Sequence, residues 1–290
     1  MRFVFAWFGL VTMALSQQFQ VSPEAVKQGE TLMVHGGATA RFSGKTVQIF
    51  SQPDGSSLGL VPIPVRVAPG PYKIEFLDER GTVQHTSEFS ILNAHYPRQN
   101  IVISKSLASL KPSPGEQQTV AKFREEVLPQ RYWQEPLEPP IPGCMTSIFG
   151  VQRYLNGKPT GDYHAGIDQR GAAGSPIHAI AGGVVKIVRQ FNLRGGTIAI
   201  DHGQGLQSIY LHMSKFAVEE GQEVKQGEVI GYVGSSGRST APHLHWALYA
   251  NGDAVNPLQW LKLTPCAATP KSSTPQHLQQ KPAAKSAAGH

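Results

Sequence analysis

Three short stretches of this chain carry residues whose types and spacing suit metal-assisted hydrolysis. In Tyr163-His164-Ala165-Gly166-Ile167-Asp168 an imidazole and a carboxylate stand four residues apart. They converge on one cation if the chain bends between them, and Gly166 makes that bend easy. The spacing alone arises readily by chance, so its weight depends on what accompanies it. In Pro242-His243-Leu244-His245-Trp246 the following Trp246-Ala247-Leu248-Tyr249 reads as a strand. Residues i and i+2 of a strand share a face, so His243 and His245 project together while Leu244 faces the core. In Gln207-Ser208-Ile209-Tyr210-Leu211-His212-Met213 the same alternation predicts Ser208, Tyr210 and His212 on one face and three apolar residues on the other.

Together the three stretches supply four histidines and one aspartate. A catalytic zinc takes three protein ligands of nitrogen or oxygen type and leaves one position open for water. His164, Asp168 and one histidine of the His243/His245 pair would fill those three positions. The two remaining imidazoles would take a proton from the water and support the oxyanion that forms. No HExxH sequence occurs, which excludes a helical metalloprotease site. No cysteine joins the cluster, which argues against a closed structural zinc site.

These residues sit in a wider pattern. Ser147-Ile148-Phe149-Gly150, His164-Ala165-Gly166-Ile167-Asp168, Tyr210-Leu211-His212 and His243-Leu244-His245 resemble, in order and spacing, the M23 peptidases of the lysostaphin and LytM type. Ala181-Gly182-Gly183-Val184-Val185, Asp201-His202-Gly203, Gly227-Glu228-Val229-Ile230-Gly231 and Val255-Asn256-Pro257 fit the same resemblance, which covers about residues 144–260. It implies a compact antiparallel β domain with the site in a groove. It implies one Zn2+ held by His164, Asp168 and His245, with His212 and His243 as the catalytic pair. It also places Tyr210 and Asn156 along the groove as substrate-binding residues. The implied substrates are stem or cross-linking peptides of peptidoglycan, cut by zinc-activated water. Ala241 stands where the family usually has Gly, and Trp246-Ala247 replaces the commoner Phe-Glu pair. Neither departure removes a ligand or an imidazole. The alternative from another class is a non-catalytic wall-binding regulator or amidase activator with the same fold, which would bind no zinc or bind it without hydrolysis.

The elements that must position these residues are mostly strands. The chain holds 30 Gly and 22 Pro with 16% charged residues, a mix that favours short strands joined by many turns. The expected fold class is all-β, with an antiparallel β peptidase domain over 143–262 preceded by a small Ig-like β-sandwich over 17–95. In the sandwich, Tyr72-Leu77 and Thr82-Leu92 flank Asp78-Glu79-Arg80-Gly81, a hairpin signal. A Pro-rich connecting region spans 96–142, with a short helix expected from Val120 to Val127. Residues 263–290 read as a disordered basic tail. His35, His85 and His95 are read as structural or exposed, His178 as a satisfied core histidine and His202 as a shaper of its hairpin. Gly234-Ser235-Ser236-Gly237 is read as a turn beside the groove rather than a phosphate loop.

Residues 1–16 read as an export signal: Met1-Arg2, an apolar run from Phe3 to Leu15, then small residues before a cleavage site after Ser16. The expected destination is the periplasm or the extracellular cell wall, with no stable membrane insertion after cleavage. The formal net charge is +6, but Arg2, Lys262, Lys271, Lys281 and Lys285 lie in the two terminal stretches, and without them about +1 remains. A nearly neutral body argues against a nucleic-acid partner and leaves peptidoglycan peptides as the partner of an expected monomer. Export permits a disulfide between Cys144 and Cys266, and the sequence leaves open whether they pair.

Overall fold

In the computed structural model, which describes residues 19–267, most strands from Met145 onward form one curled sheet, flanked by a three-stranded sheet of Arg98–Ile101, Gln152–Leu155 and Lys158–Tyr163 and another of Pro176–His178, Val229–Tyr232 and Lys215–Phe216. Numbered within the curled sheet, its strands are β1 (Met145–Ser147), β2 (Ile167–Arg170), β3 (Gly183–Phe191), β4 (Gly195–Gly203), β5 (Leu206–Met213), β6 (Glu223–Val224), β7 (His243–Ala250) and β8 (Asp253–Val255). The hydrogen-bonded order is β1-β2-β7-β5-β4-β3-β6, and every pairing is antiparallel. β8 pairs with the second half of β7, on the edge where β2 covers the first half. Two tight hairpins fix this register. Gln204-Gly205 joins β4 to β5 and Asn251-Gly252 joins β7 to β8, each with positive φ at both central residues, as hairpin turns that match strand twist require.

The two faces of the sheet bury different clusters. One face sends Val185, Ile198, Ile200, Tyr210, Trp246 and Leu248 into the main core. The other carries Ile187, Phe191, Ala199, Ile209, Ala247 and Tyr249. Two helices precede β1: α1, a single turn at Lys105–Ala108 capped by Ser104, and α2 (Glu116–Glu125). Val120 and Phe123 of α2, one turn apart, cover the second face. The helix starts four residues before the expected Val120, because Ser113 and Glu116 stabilise its entry: the Ser113 N–H and hydroxyl both donate to Glu116 Oε2. Beyond α2 the proline-bearing stretch forms no regular element, as expected. It is nevertheless a buried strap, with Trp133, Leu137 and Ile141 inside the main core.

N-terminal to these elements lie two further sheets. Gln20–Ser22, Thr31–His35, Ser57–Pro62 and Phe50–Ser51 form one; Ala25–Lys27, Val83–Leu92, Gly70–Leu77, Thr39–Phe42 and Lys45–Gln48 form the other. They share an apolar core that includes Val26, Leu32, Phe42, Ile74 and Phe76. The expected hairpin at Asp78–Gly81 is present, closed by Asp78 N–H on Thr82 O. A separate Ig-like unit is not delineated, and the physical reason is visible at the seam. Leu58 and Leu60 belong to the main core with the residues around the curled sheet. The Gln259 side chain pairs with both the N–H and the C=O of Thr31 at 2.7 Å, and Asn251 Nδ2 donates to Leu60 O. The described chain is thus β-strand-rich on both sides of the connecting region, with its N-terminal layers docked on the curled sheet.

Cys144 and Cys266 form a disulfide across 122 positions of sequence, with their Cα atoms 4.8 Å apart. The cross-link joins the two ends of the curled-sheet region, where Cys266 N–H also donates to Met145 O. On the chain-entropy account a loop of this length stabilises the fold by ~4–5 kcal/mol. The export signal at 1–16 and the tail beyond 267 fall outside the described residues. Among the described residues no helix is long and apolar enough to cross a membrane.

Candidate metal centre

Asp168 on β2 lies directly opposite His245 on β7 in the antiparallel register. Their side chains therefore leave the sheet on one face, and His245 Nδ1 sits 2.7 Å from Asp168 Oδ1. His164 arrives from the turn before β2, with Nε2 at 3.1 Å from the same oxygen and 3.0 Å from His245 Nδ1. Gly166 serves this approach in a way that the sequence did not suggest. A Cβ there would lie 2.3 Å from Trp246 O and 3.0 Å from His245 Nε2, so a close pass along β7, more than a sharp bend, demands glycine.

The donor set fits a cation. The buried His164 donates its Nδ1 proton to Ile148 O at 2.9 Å, which leaves a lone pair on Nε2 facing the cluster. With the Asp168 carboxylate and His245 Nδ1, three ligand atoms converge within 4.8 Å of one another. Burial alone would raise the Asp168 carboxyl; without a cation, ring N–H groups of His164 and His245 turned toward it hold it well below the ordinary value, and a bound cation would take the place of those protons. Burial lowers His245 to about 4, so its imidazole is neutral near pH 7, as a metal ligand must be. Arg153 Nη2 meets the second Asp168 oxygen at 3.1 Å and fixes the carboxylate plane.

His212 and His243 stand at the rim of this cluster with their rings 5.0 Å apart. His243 follows the expected strand geometry: it shares the groove face with His245, while Leu244 is fully buried. Both rim imidazoles are fixed in the same tautomer. The Nδ1 proton of His212 goes to Ser236 O and that of His243 to Ala241 O, each at 2.8 Å. Each Nε2 is the ring nitrogen left over, and that of His243 lies 3.9 Å from Asp168 Oδ1.

His212 reaches the groove against the expected alternation. Leu211 pairs with His245 and lines the groove, whereas Ser208 and Tyr210 face the core. A positive φ of 63° at His212 breaks the period of two and swings its imidazole to the groove side beside Leu211. Tyr210 therefore does not line the groove. It is fully buried, its hydroxyl accepting from Ile180 N–H and lying 3.0 Å from Ser208 Oγ, and burial pushes that hydroxyl up to about 12. The expected groove contact of Asn156 is also not found. Its exposed amide clamps Ile103, accepting from Ile103 N–H and donating to Ile103 O, so it holds a groove-wall segment instead.

The groove encloses about 750 Å³, and its walls come from all parts of the described chain. Pro64 to Arg66 form one side, Ile101 and Ile103 extend it, and Arg194, Arg238 and Ser239 close the other. Sequence reasoning missed Arg153, Ser147 and Ser236. Ser147 bridges Gln99 and His164, its Oγ 2.8 Å from Gln99 Oε1 and 3.0 Å from His164 Nδ1. Its place in the Ser147-Ile148-Phe149-Gly150 motif was the available signal. Ser236 lies in the Gly234-Ser235-Ser236-Gly237 turn, read as lying beside the groove but without its contact to His212.

His202 lies apart from the cluster, as expected, bonding Gly182 O through Nδ1 and Ser208 Oγ through Nε2. Full burial lowers it from 6.5 to about 4. Below pH 6.5 the unfolded chain takes up a proton that the folded chain refuses until about pH 4, so the folded state loses stability as pH falls through that window. The loss is worth roughly 3 kcal/mol at ~1.36 kcal/mol per pK unit. Urea midpoints of the parent are expected to fall more steeply between pH 7 and pH 4 than those of His202→Gln; equal slopes would refute the assignment.

Residues 162–257 match the family model of Peptidase family M23. Over 131 residues the chain is 43% identical to the DD-carboxypeptidase/endopeptidase Mpg of Neisseria meningitidis serogroup B, covering 44% of this chain and 30% of that protein. It is 38% identical over 96 residues to the peptidoglycan DD-endopeptidase ShyA of Vibrio cholerae, covering 33% of this chain and 22% of that one. The chain therefore spans less than a third of the length of either relative. A crystal structure from Pseudomonas aeruginosa described as peptidase M23 superposes with a TM-score of 0.61 at 27% identity, covering 80% of this chain and 93% of that one.

Proposed function

We propose that this chain, which carries an M23-family peptidase domain at residues 162–257, is an exported zinc endopeptidase that hydrolyses peptide bonds in the stem or cross-linking peptides of peptidoglycan. The observation that carries this reading is the convergence of His164, Asp168 and His245 with two further imidazoles at one open groove. Zinc at these three residues supplies Lewis acidity toward the scissile carbonyl and lowers the pKa of the attacking water. The chain's own groups do the rest. Arg153 orients Asp168, and the Ile148 carbonyl orients His164. His243 and His212, each with its Nδ1 proton committed to a backbone carbonyl, take the water's proton and later donate to the oxyanion or the leaving amine. The names of the relatives support peptidoglycan as the substrate.

In this reading one Zn2+ binds per chain, and residues 143–262 are the peptidase unit. The two N-terminal sheets, sharing a core of their own, act as an Ig-like sandwich over 17–95 that lends a wall to the groove. The protein works as a monomer in the periplasm or the wall. The test is to incubate the full chain and zinc with purified cross-linked peptidoglycan and to analyse the products by mass spectrometry. Newly paired amino and carboxyl termini within the peptides are expected. An intact wall exposed to zinc-loaded protein would overturn the reading.

A further inference from the structure

Glu116, like Asp201, is a carboxylate outside the metal cluster with none of its surface exposed. It sits at the first turn of α2, in the connecting region, yet its five hydrogen-bond donors come mainly from the turn between β3 and β4. Oε1 accepts from Arg194 N at 3.0 Å and Arg194 Nη1 at 2.9 Å. Oε2 accepts from Leu193 N at 3.2 Å, Ser113 N at 2.9 Å and Ser113 Oγ at 3.0 Å. Burial would raise this carboxyl, and the five donors outweigh it and hold the group below its ordinary value. An ionised carboxylate so fully satisfied is a rigid anchor.

What it anchors is the support of His212. The turn 193–194 shows its N–H groups to Glu116 and its carbonyls to the groove. Arg194 O accepts from His212 N at 3.0 Å, and Leu193 O accepts from Arg238 N at 2.9 Å. The next residue, Gly195, is wedged against Ser236, where a Cβ would lie 2.4 Å from Ser236 Oγ. Ser236 in turn takes the His212 ring proton. His212 holds a left-handed φ of 63°, a strained conformation that persists only where surroundings over-determine it. We propose that Glu116 is a positioning residue for His212, acting through the 193–194 turn, so that the connecting region completes the catalytic groove. This rests on the reading of His212 as part of a hydrolytic centre.

In the full, zinc-loaded chain, Glu116→Gln removes the charge and turns an amide N–H toward a set of partners of which all but the Ser113 hydroxyl can only donate. It is expected to lower kcat by roughly ten- to a hundredfold, the scale of a sub-ångström to ångström misplacement of a reacting group. KM and zinc stoichiometry should stay within twofold. Phe123→Leu, which loosens the same helix without touching the turn, should lower Tm and leave kcat within twofold. In a His212→Ala background Glu116→Gln should have no further effect on residual turnover. Amide hydrogen exchange at His212 reads the same clamp without turnover, and Glu116→Gln should speed it more than tenfold relative to Phe123→Leu. Should Glu116→Gln fail to fold, Ser113→Ala, which removes one donor to the carboxylate, is expected to shift kcat and exchange in the same direction by a smaller factor. Unchanged kcat and unchanged exchange in the variant, or an equal fold-loss in the His212→Ala background, would overturn the proposal. A parent without hydrolytic activity would instead sink the functional reading, with the exchange measurement still deciding the positioning role.

Discussion

Asp168→Asn is expected to abolish stoichiometric zinc binding and to lower peptide-bond cleavage by on the order of 10³-fold or more. Asp168 Oδ1 is the atom around which the site is built, 2.7 Å from His245 Nδ1, 3.1 Å from His164 Nε2 and 3.9 Å from His243 Nε2. Asparagine keeps the shape and deletes the charge. Two imidazole nitrogens 3.0 Å apart then face each other without the anion that makes a cation welcome between them. The loss extends outward, because Arg153 Nη2 forfeits its carboxylate partner, and Arg153 Nε is already a buried donor without one. A partly buried guanidinium left unpaired costs more than its bond was worth. The metal-free variant should therefore melt below the metal-free parent, which separates this effect from simple loss of zinc. Zinc content after gel filtration, chelator competition and thermal denaturation together check the prediction. A variant that retains zinc with the parent's affinity would remove Asp168 from the ligand set.

The zinc-type cluster was legible from sequence because strand periodicity carries directly into space. His243 and His245 at i and i+2 share a face, and Leu244 between them is fully buried. Asp168 comes opposite His245 only through the long-range pairing of β2 with β7, which spacing alone does not give. The period of two failed at His212, and it failed for a local reason. A left-handed residue inside a strand shifts every face assignment after it, and neither the residue type nor its neighbours announce that. The misplacement of Tyr210 is the same error, since it was assigned to the face of His212 and in fact shares that of Trp246. Composition explains the other gap. Prolines in 129–142 correctly ruled out regular structure, but proline content does not distinguish a free tether from a strap packed into a core through Trp133, Leu137 and Ile141. Long-range partners such as Gln99 with Ser147 or Glu116 with Arg194 have no local signature at all.

His212→Ala should behave differently from Asp168→Asn. Zinc stays, and kcat falls by ~10²–10⁴, the contribution of a positioned acid–base group. His212 is not one of the three converging ligands, and its Nδ1 proton is committed to Ser236 O. What remains at the groove is one basic nitrogen, held in a single tautomer beside His243. Alanine is no better suited than histidine to a φ of 63°, so the substitution leaves the backbone cost nearly unchanged and tests the imidazole itself. It does orphan the Ser236 carbonyl, a loss that water entering the open groove can repair. If His212 and His243 act in one proton-transfer step, the double variant should lose little beyond either single one, since groups that work as a unit are strongly non-additive. Independent, multiplying losses would mean two separate tasks, one at the water and one at the oxyanion. Release of zinc from His212→Ala would overturn the division altogether, because it would move His212 from the chemistry into the holding of the metal.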